Sequence, residues 1–502
     1  MRWLVRSLLV VGVLAVGAVL AGRWYLQTYD EREPSRVAFA QQCAQCHGDL
    51  LQGTAEGPDL MAARLQHGDS VAALMDSIVS RHPQFPAAES QSPSQTKSLA
   101  LYIIERRQQL PSIAASHSYQ LPEGVVSSTH HNFRVERVAT LRSGPYAMAP
   151  LPDGRILVSE KVRGLTLIDP DEGDTLVTGT PRVWREALHV RGSYVGLGQM
   201  LDVQLHPDYA ENGWVYLSHT DRCQLDCGSA WPVSMVRVIR GQLENGRWVN
   251  TEVIWSVPKS HYTVVPDGVA AGRLAFDDSN YLFVTVGGKS TYDNLHVLDT
   301  PYGKIHRVHD SGAIPNDNPF GEPSQSERES TRHTVWSYGH RTTQGLSTDP
   351  RTGTIWSTEM GPRGGDEVNR IQRGGNYGWP LYTNGLDYDG EPVTIGRDLG
   401  LDFSQSETIP PVVDFTPAPS LSNFTFHEGA RFPGWKNDLL IGSLRAQTLF
   451  RVRLNGDTVV EQERLLTHLG RIRDVEMGFD GLVYVLLEHG KGGSLLRLVP
   501  AE

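Results

Sequence analysis

Two patterns of apolar and polar residues divide the chain. Residues 7–22 are uncharged and mostly apolar, and apolar residues then recur at helical spacing within residues 70–80 and 98–107. From about residue 133 onward, short β-branched and aromatic runs alternate with turns of the Asp-Gly and Asn-Gly type. Spacings of three and four residues predict helices, whereas short apolar runs between turns predict strands. We therefore expect a small helical unit followed by a large all-β unit.

Several of the strand-like runs share one form, in which a turn is followed by an apolar run and then by a small or acidic residue. They begin at Asp153, Asn212, Ser279, Thr352, Asn437 and Asp480. Repetition of one strand-rich unit at intervals of roughly sixty residues is typical of β-propeller blades around a central channel. We expect a six-bladed β-propeller over residues 133–502, with a ligand site at the mouth of the channel.

Residues Cys43-Ala44-Gln45-Cys46-His47 form a C-x-x-C-H motif. Its two thiols can add to the vinyl groups of a haem, and His47 then binds the iron as the proximal ligand. A zinc or thiol-redox site is the alternative, but no second Cys/His pair follows at zinc-ligand spacing. With predicted helices on either side, residues 36–112 resemble a small class I cytochrome c. Haem c and one-electron transfer are the expected consequences.

The sixth ligand of the iron is less directly indicated. In class I cytochromes c, a methionine followed by proline usually supplies it, and here His82-Pro83 stands at the corresponding place. We expect His82 to be the ligand, with Met61 as the alternative. Met75 lies on the apolar stripe of a predicted helix and is expected to pack in the core. Ligation by two histidines would give the haem a lower potential than a thioether ligand would.

The first thirty residues have the features of an export signal. Arg2 and Arg6 precede the uncharged run, which orients such a segment with its start in the cytoplasm. The run is short for a spanning helix, so residues 1–30 are either a cleaved signal peptide or a retained anchor. In both cases we expect the body of the chain on the periplasmic side of the bacterial inner membrane. Cys223 and Cys227 are expected to form a disulfide in that oxidising compartment.

The overall charge and the linker complete this picture. A net charge of -11 and a pI near 5.9 argue against a nucleic-acid partner. The sequence has no P-loop and no Gly-rich dinucleotide motif, which disfavours nucleotide cofactors. Residues 113–132, which are polar and rich in Ser and His, are expected to link the cytochrome-like unit to the propeller.

Residues from about 135 to 500 carry several motifs that together resemble one family. They are Leu205-His206-Pro207-Asp208-Tyr209, Gly272-Arg273-Leu274-Ala275-Phe276, Tyr302-Gly303-Lys304-Ile305, Tyr338-Gly339-His340-Arg341, Gln344-Gly345-Leu346, the stretch 359–367 and Arg471-Ile472-Arg473-Asp474-Val475. The family is that of the quinoprotein sugar dehydrogenases of the soluble glucose and aldose type, which are related to sorbosone dehydrogenases.

The resemblance implies a six-bladed propeller that binds pyrroloquinoline quinone (PQQ) together with calcium. Arg341, Arg471 and Arg473 match arginines that face the cofactor, and guanidinium groups suit its carboxylates. Since Arg471 and Arg473 are two positions apart on a predicted strand, both should lie on one face. Gly361 and Pro362 match residues whose carbonyl oxygens bind calcium, a hard ion that prefers oxygen ligands.

Four positions depart from the family pattern. Val269 stands where the family has its general-base histidine, and Gly288 stands where it has the acidic partner. Thr342 replaces an asparagine, and Leu197 replaces a glutamine near the cofactor. Oxidation of a sugar hydroxyl needs a base to accept the proton, and valine cannot act as one.

Three functions follow from these observations. The expected one is PQQ-dependent oxidation of an aldose or other alcohol, with electrons passing to haem c and then to a downstream redox protein or respiratory chain. The second is a catalytically degenerate propeller that binds a sugar, a glycan or a protein, beside a cytochrome that carries electrons. The third is a different reaction in the same pocket with another base.

Overall fold

The structure is a computed structural model that describes residues 33–82, 92–110, 119–184, 188–190, 193–195, 198–224, 227–264, 270–289, 291–321, 330–490 and 492–501. The chain divides into two compact units, Met1–Ser116 with Leu386–Pro392, and His117–Gly385 with Val393–Glu502. Within the described ranges, no helix is both long and apolar enough to cross a membrane. The predicted export segment, residues 1–30, lies outside them.

The described part of the first unit is helical. Its helices are α1 (Pro34–Gln42), α2 (Ala44–His47), α3 (Val71–Arg81) and α4 (Pro93–Arg107). The Ser70 hydroxyl accepts a hydrogen bond from the Ala73 amide at 3.1 Å at the start of α3, and Ser92 and Gln95 form a capping box at the start of α4. Such caps satisfy amides that have no partner within the helix.

Both α1 and α3 pack on α4, with Phe39, Leu74 and Ile78 buried in a common core. Met75 packs against this core, as its position on the apolar stripe predicted. The helices predicted over residues 70–80 and 98–107 are both present, and the second begins earlier than expected, at Pro93.

The second unit is built from sheets of four or five antiparallel strands. Blade 1 contains β3 (Pro145–Pro150), β4 (Ile156–Glu160), β5 (Gly164–Asp169) and β6 (Gly173–Leu176). A separate hairpin, β7 (Leu188–Val190) with β8 (Ser193–Val195), follows. Blade 2 contains β9 (Met200–Leu205), β10 (Val215–Cys223), β11 (Val233–Glu244) and β12 (Arg247–Ser256), and blade 3 contains β13 (Leu274–Phe276), β14 (Tyr281–Val286), β15 (Lys304–His309) and β16 (Val335–Tyr338).

The remaining blades follow the same order. Blade 4 contains β17 (Thr343–Thr348), β18 (Ile355–Glu359), β19 (Asp366–Arg370) and β20 (Val413–Phe415), and blade 5 contains β21 (Leu421–Phe426), β22 (Leu439–Ser443), β23 (Leu449–Asn455) and β24 (Thr458–Leu466). Blade 6 contains β25 (Arg471–Met477), β26 (Val483–His489) and β27 (Gly492–Ala501), and it is completed by β1 (Val126–Ser127) and β2 (Asn132–Leu141). Two short helices, α5 (Tyr209–Asn212) and α6 (Ile395–Asp398), lie in connections.

The last blade is closed by the first long strand of the unit. β2 pairs antiparallel with β27, from Asn132 opposite Ala501 to Leu141 opposite Gly493. Pairing the two ends of the propeller in one sheet closes the ring, because it joins the beginning and the end of the chain segment by main-chain hydrogen bonds. The expectation of a six-bladed β-propeller is confirmed.

The six repeated sequence units each correspond to the second strand of a blade: β4, β10, β14, β18, β22 and β26. These strands lie inside their sheets, and the residues of β4, β18 and β22 are buried along their whole length. A strand covered on both faces shows a continuous apolar run, which explains why these strands dominate the sequence pattern.

A single buried arginine joins the inner strands around the propeller axis. Arg273, just before β13, is fully buried. Its Nε donates to the Gln344 carbonyl of β17 at 2.8 Å, and its Nη2 donates to the carbonyls of Tyr146 in β3 at 3.2 Å and Arg473 in β25 at 3.0 Å. One guanidinium therefore bonds to three inner strands besides its own.

Buried carboxylates surround this guanidinium. Asp202 and Asp474 lie 3.6 and 3.4 Å from Nη1 of Arg273. Asn423 of β21 donates to Asp474 at 2.6 Å and to Glu476 at 3.0 Å. Burial raises the pKa of Asp202 to about 7, against the attraction of Arg273, and burial together with Asp474 holds the pKa of Glu476 well above its usual range. The cluster thus links all six inner strands through one cation.

Replacing Arg273 by methionine should destabilise the propeller strongly. The variant leaves Asp202 and Asp474 buried without their cation, and breaking a buried ion pair from one side costs about 3–5 kcal/mol. The penalty should shrink as the pH falls from about 7 to about 5, because protonation removes the uncompensated charge. Chemical denaturation at both pH values measures it.

The matched control for this experiment is Arg155→Met. Arg155 is 43% exposed and pairs with Asp153 on the surface, so its loss should change the stability by less than about 1 kcal/mol. An equally small effect of Arg273→Met would show that the ring does not depend on the axial ion.

Candidate functional site

The direction of the strands shows which residues lie at one end of the central channel, which we call the mouth of the propeller. The beginning of the first strand faces the end of the second in several blades, with Pro145 opposite Glu160, Thr343 opposite Glu359 and Arg471 opposite Glu488. Three glutamates therefore stand at the same end of their blades. The predicted residues Arg341, Arg471 and Arg473 lie at this end as well, because they precede or begin first strands.

Three cations converge on one of these glutamates. Lys161 Nζ lies 2.6 Å from Glu488 Oε1, Arg473 Nη2 donates to Glu488 Oε2, and Arg471 Nε lies 3.8 Å from the same oxygen. Lys161 follows β4 directly, so blade 1 contributes to a site whose other members come from blade 6. We call Lys161, Arg471, Arg473 and Glu488 the cationic cluster. With all four groups ionised, it carries an excess of two positive charges.

The charges of the cationic cluster act strongly on one another. Burial opposes ionisation of Glu488, but Arg473, Lys161 and Arg471 outweigh it and hold the pKa of Glu488 well below its usual range. Burial and the neighbouring Arg473 together lower the pKa of Lys161 to about 8, against the attraction of Glu488. Burial and the neighbouring Arg473 also lower the pKa of Arg471.

Two donors of the cluster are buried without a partner. Arg471 Nε and Arg473 Nε have no hydrogen-bond acceptor among the described residues. A buried N–H group without an acceptor is costly, and both belong to side chains that the sequence assigned to carboxylate binding. The cluster therefore has the charge and the donors to bind an anion.

Arg341 stands on blade 4 and binds the loop after β18. Its Nη1 donates to the carbonyls of Met360 at 3.0 Å and Gly361 at 2.8 Å, and its guanidinium lies 5.1 Å from the ring centre of Trp379. Its main-chain amide donates to the carboxylate of Glu359. Arg341 is thus fixed at the mouth by both its backbone and its side chain.

His340 supports this arrangement from below the surface. It is fully buried, its Nδ1 lies 2.9 Å from Glu359 Oε2 and its Nε2 lies 2.9 Å from the hydroxyl of Ser337. Its ring also stacks on Tyr377 at 4.4 Å. Because both ring nitrogens are bonded inside the protein, His340 orients Glu359 and is not placed to accept a proton from a substrate.

A buried lysine to which the sequence analysis assigned no role, although it stands in one of the family motifs, holds the neighbouring loop. Lys304 is fully buried, and its Nζ donates to the carbonyls of Tyr302 at 2.8 Å and Leu295 at 3.2 Å. Burial lowers its pKa to about 7. The same loop bonds to Arg341, whose carbonyl accepts from the Gly288 amide at 2.8 Å. Lys304 therefore holds the loop next to Arg341 through the hydrogen bonds that it donates.

Of the four positions that depart from the family pattern, the structure describes Gly288 and Thr342. Val269 and Leu197 lie outside the described residues. Gly288 has no room for a side chain, because an added Cβ would lie 2.0 Å from Leu295 Cδ2 and 3.1 Å from Gly303. Thr342 keeps a buried hydroxyl without a partner among the described residues. The loss of the acidic residue at position 288 is therefore built into the local packing.

The main chain of Gly361, one of the two predicted calcium ligands, is hydrogen-bonded within the protein. The carbonyl of Gly361 accepts from Arg341 at 2.8 Å, and its amide donates to Asp366 Oδ1 at 2.9 Å. Among the described residues, no group of three or more His, Cys, Asp or Glu side chains could hold a metal ion. The assignment of calcium to Gly361 and Pro362 concerns main-chain carbonyls rather than such side chains, and it stays a prediction.

In the first unit, the residues of the C-x-x-C-H motif lie beside His82. The His47 and His82 rings have their centres 6.0 Å apart at an angle of 53°. His47 Nδ1 lies 2.8 Å from the carbonyl of Pro58, and His82 Nδ1 lies 3.1 Å from that of Ser77. Each ring therefore turns its Nδ1 toward a main-chain carbonyl.

The other groups near the motif are consistent with this geometry. Cys43 and Cys46 are not joined to each other or to another cysteine. Burial and the neighbouring Cys46 raise the pKa of the Cys43 thiol to about 11. Met61, the alternative ligand, is 39% exposed.

In the second unit, Cys223 and Cys227 form the predicted disulfide.

Comparison with known proteins identifies the propeller. A family model described as glucose/sorbosone dehydrogenase matches residues 142–497. The chain is 35% identical over 364 residues to the aldose sugar dehydrogenase YliI of Escherichia coli (strain K12). The aligned region covers 71% of this chain and 90% of that protein.

Two solved structures are similar as well. The soluble aldose sugar dehydrogenase from Escherichia coli in its apo-form is 31% identical, with a TM-score of 0.63 over 74% of this chain and 100% of that one. The PQQ-bound aldose sugar dehydrogenase from Streptomyces coelicolor shares the fold, at 24% identity and a TM-score of 0.54 over 73% of this chain and 98% of that one. The chain therefore belongs to the glucose/sorbosone dehydrogenase family, and its propeller is that of a sugar-dehydrogenase-like oxidoreductase.

Proposed function

We propose that the protein is an exported quinohaemoprotein dehydrogenase that oxidises an aldose or another alcohol with PQQ and passes the electrons to a c-type haem. The observation that carries the proposal is the cationic cluster at the mouth of a sugar-dehydrogenase propeller. Three cations face a single carboxylate there, so the site has positive charge to offer to an anionic ligand.

The cluster fits the carboxylates of PQQ. PQQ is a planar tricarboxylate, and Lys161, Arg471 and Arg473 would bind its carboxylate groups through charge-assisted hydrogen bonds. Arg341, fixed beside Trp379, would add a fourth cation from blade 4. When bound, PQQ supplies an acceptor for a hydride and thus for two electrons.

The first unit fits a covalently attached haem with two histidine ligands. Metal–imidazole bonds are about 2 Å long, so two imidazoles on opposite sides of one iron have ring centres roughly 6 Å apart. The 6.0 Å separation of His47 and His82 agrees with that value. Cys43 and Cys46 would carry the thioether bonds, and the His47 bond to Pro58 would orient the proximal ring. The haem would take electrons one at a time and release them to a downstream redox protein or respiratory chain.

Export supports the same proposal. Residues 1–30 carry the features of a signal or anchor, haem attachment to C-x-x-C-H takes place outside the cytoplasm, and the Cys223–Cys227 disulfide is typical of an oxidising compartment. We place the protein on the periplasmic side of the inner membrane, either anchored or released.

A second candidate function is a propeller that binds a sugar, glycan or protein without oxidising it. The packing at Gly288 favours it, because Leu295 fills the place that an acidic side chain would occupy. His340 cannot replace the missing base, since both of its nitrogens are bonded internally. The two candidates differ in whether substrate drives electrons to the haem.

Reduction of the haem by substrate separates these candidates. The purified haem-loaded protein is mixed with PQQ and calcium, and the haem spectrum is followed after addition of aldoses or alcohols. We expect reduction that requires both PQQ and substrate. PQQ binding without substrate-driven reduction would favour the second candidate, and no PQQ binding would exclude PQQ-dependent oxidation by the propeller.

Substitutions in the cationic cluster should weaken PQQ binding. Hydrogen bonds to charged groups contribute about 1.5–3 kcal/mol, so Lys161→Met and Arg473→Met should each lower the affinity about 10- to 100-fold. The measurement is a fluorescence titration of the substrate-free protein. Arg142→Met, at a side chain that is 72% exposed, is the matched control, and an affinity equal to the control would refute the assignment.

The affinity for PQQ should also depend on pH through Lys161. The pKa of Lys161 in the free protein is about 8, so the side chain loses its charge as the pH rises through this value. An anion binds the charged form better, and the affinity of the wild type should therefore fall above about pH 8. Lys161→Met should lack this component, and a pH profile identical to that of the wild type would contradict the role given to Lys161.

The axial ligands of the haem can be tested by substitution of His82. His82→Ala should convert a low-spin haem into a high-spin one, and His82→Met should raise its reduction potential. Visible spectra and redox titration measure these changes. Met61→Leu serves as the control and should leave both properties unchanged; a loss of the low-spin spectrum in Met61→Leu instead would assign the ligand to Met61.

A further inference from the structure

The last part of the predicted linker packs on the propeller. Residues 119–125 form no helix or strand, and β1 follows them directly. Three of the side chains in this stretch, Tyr119, Leu121 and Val126, nevertheless pack against the buried apolar core of blades 5 and 6. We call residues 119–127 the linker segment. It belongs to the second unit.

One ring of the linker segment contacts both strands that carry the cationic cluster. The Tyr119 ring stacks on that of His489, with the ring centres 4.3 Å apart and the planes 16° apart. Tyr119 also lies against Gly470, where an added Cβ would be 2.7 Å from Tyr119 Cβ. His489 directly follows Glu488 in β26. Gly470 directly precedes Arg471, which pairs with Glu488 across the two strands.

Both partners of Tyr119 are firmly placed. Gly470 has a φ of +129°, which glycine adopts readily and other residues rarely, and Tyr119 occupies the space that a side chain would need there. His489 is buried, and its Nε2 lies 3.2 Å from the hydroxyl of Ser494. On β2, the guanidinium of Arg137 lies 5.7 Å from the centre of the Tyr119 ring, within the range of a cation–π contact. The ring is therefore held from several sides.

The cationic cluster needs such support, because its three cations repel one another around one carboxylate. The backbone that carries them must therefore resist displacement. Arg473 is anchored at the propeller axis, since its carbonyl accepts from Arg273 at 3.0 Å. Arg471 begins the same strand, directly after the contact between Gly470 and Tyr119. One end of this short stretch is thus fixed by the axis and the other by the linker segment.

We propose that Tyr119 is a positioning residue of the cofactor site and that it couples the linker segment to the binding of the anionic cofactor. The inference rests on the proposed function, in which PQQ occupies the cationic cluster. With the Tyr119 ring in place, Arg471 and Glu488 are already arranged for the ligand, so binding does not have to order them. Binding in turn favours the docked linker segment, because coupling between two sites is reciprocal.

Equilibrium dialysis of the full-length, haem-loaded protein against PQQ tests this coupling. We expect Tyr119→Ala to bind PQQ about 3- to 10-fold more weakly, which is the effect of losing one aromatic stacking contact. Tyr119→Phe keeps the ring and should bind PQQ like the wild type.

The matched control is Tyr281→Ala. The Tyr281 ring also contacts a histidine, with its centre 4.8 Å from that of His309. Tyr281 lies in blade 3 at the end away from the mouth, since β14 begins with it and ends beside the loop that bonds to Arg341. Tyr281→Ala should lower the stability of the propeller and leave the affinity for PQQ unchanged.

Hydrogen–deuterium exchange tests the positioning role without the cofactor. In the PQQ-free protein, Tyr119→Ala should speed the exchange of the amides at residues 470–474 and 487–490, whereas Tyr281→Ala should not. In the wild type, saturation with PQQ should slow the exchange of the linker segment by about the factor by which Tyr119→Ala weakens binding.

The proposal is overturned if Tyr119→Ala binds PQQ as tightly as the wild type, if Tyr281→Ala weakens binding equally, or if Tyr119→Ala leaves the exchange at residues 470–474 unchanged. A wild type that binds no PQQ, together with faster exchange in Tyr119→Ala, would refute the proposed function and still support the positioning of the two strands by Tyr119.

Discussion

The buried guanidinium of Arg273 is the interaction on which the propeller most depends. A ring of six blades brings six inner strands together at one axis, and their polar groups there are shielded from water. Arg273 bonds to carbonyls of β3, β17 and β25 and faces the carboxylates of Asp202 and Asp474. The carbonyl that it binds on β25 belongs to Arg473, whose side chain enters the cationic cluster. Arg473 therefore belongs both to the axis, through its carbonyl, and to the mouth, through its side chain. The position of this side chain thus depends on the hydrogen bonds at the centre of the propeller.

The charged groups at the mouth destabilise the protein when no ligand is bound. Three cations beside one carboxylate repel each other, and burial adds a desolvation cost, which is visible in the lowered pKa values of Lys161 and Arg471. Ion clusters elsewhere in this propeller show no such excess of cations, since Arg451 lies among the carboxylates of Asp438, Glu461 and Glu463. Charged groups whose pKa values are shifted by burial and by neighbouring charges cluster at functional sites. An anionic ligand would remove the repulsion, so binding energy would come from relieving it.

The sequence revealed the propeller because the second strand of each blade is covered on both faces and therefore reads as an uninterrupted apolar run. Arg471 and Arg473 could be assigned from a family motif, and their alternation on one strand already implied a common target. Lys161 could not be assigned to the site from the sequence, because its partner Glu488 lies 327 positions away. Nothing in the neighbouring sequence distinguishes Lys161 from a surface lysine. Lys304 and Arg273 stood in recognised motifs, but their roles arise only from carbonyls that the fold collects around them. The hydrogen bond from Arg341 to the Gly361 carbonyl could not be foreseen for the same reason.

The pairing of His47 with His82 bears on how the two proposed cofactors would work together. A thioether ligand raises the potential of a haem relative to a second imidazole, so two histidines would make the haem a weaker oxidant and reduce the free energy available for drawing electrons from the propeller. Each 30 mV of potential corresponds to about 0.7 kcal/mol for one electron. A low-potential haem suits a sugar oxidation that is itself strongly favourable, and it would conserve more of that energy for the next carrier. In the proposed function, the identity of one axial ligand would thus set how the energy of the oxidation is divided between the propeller and the respiratory chain.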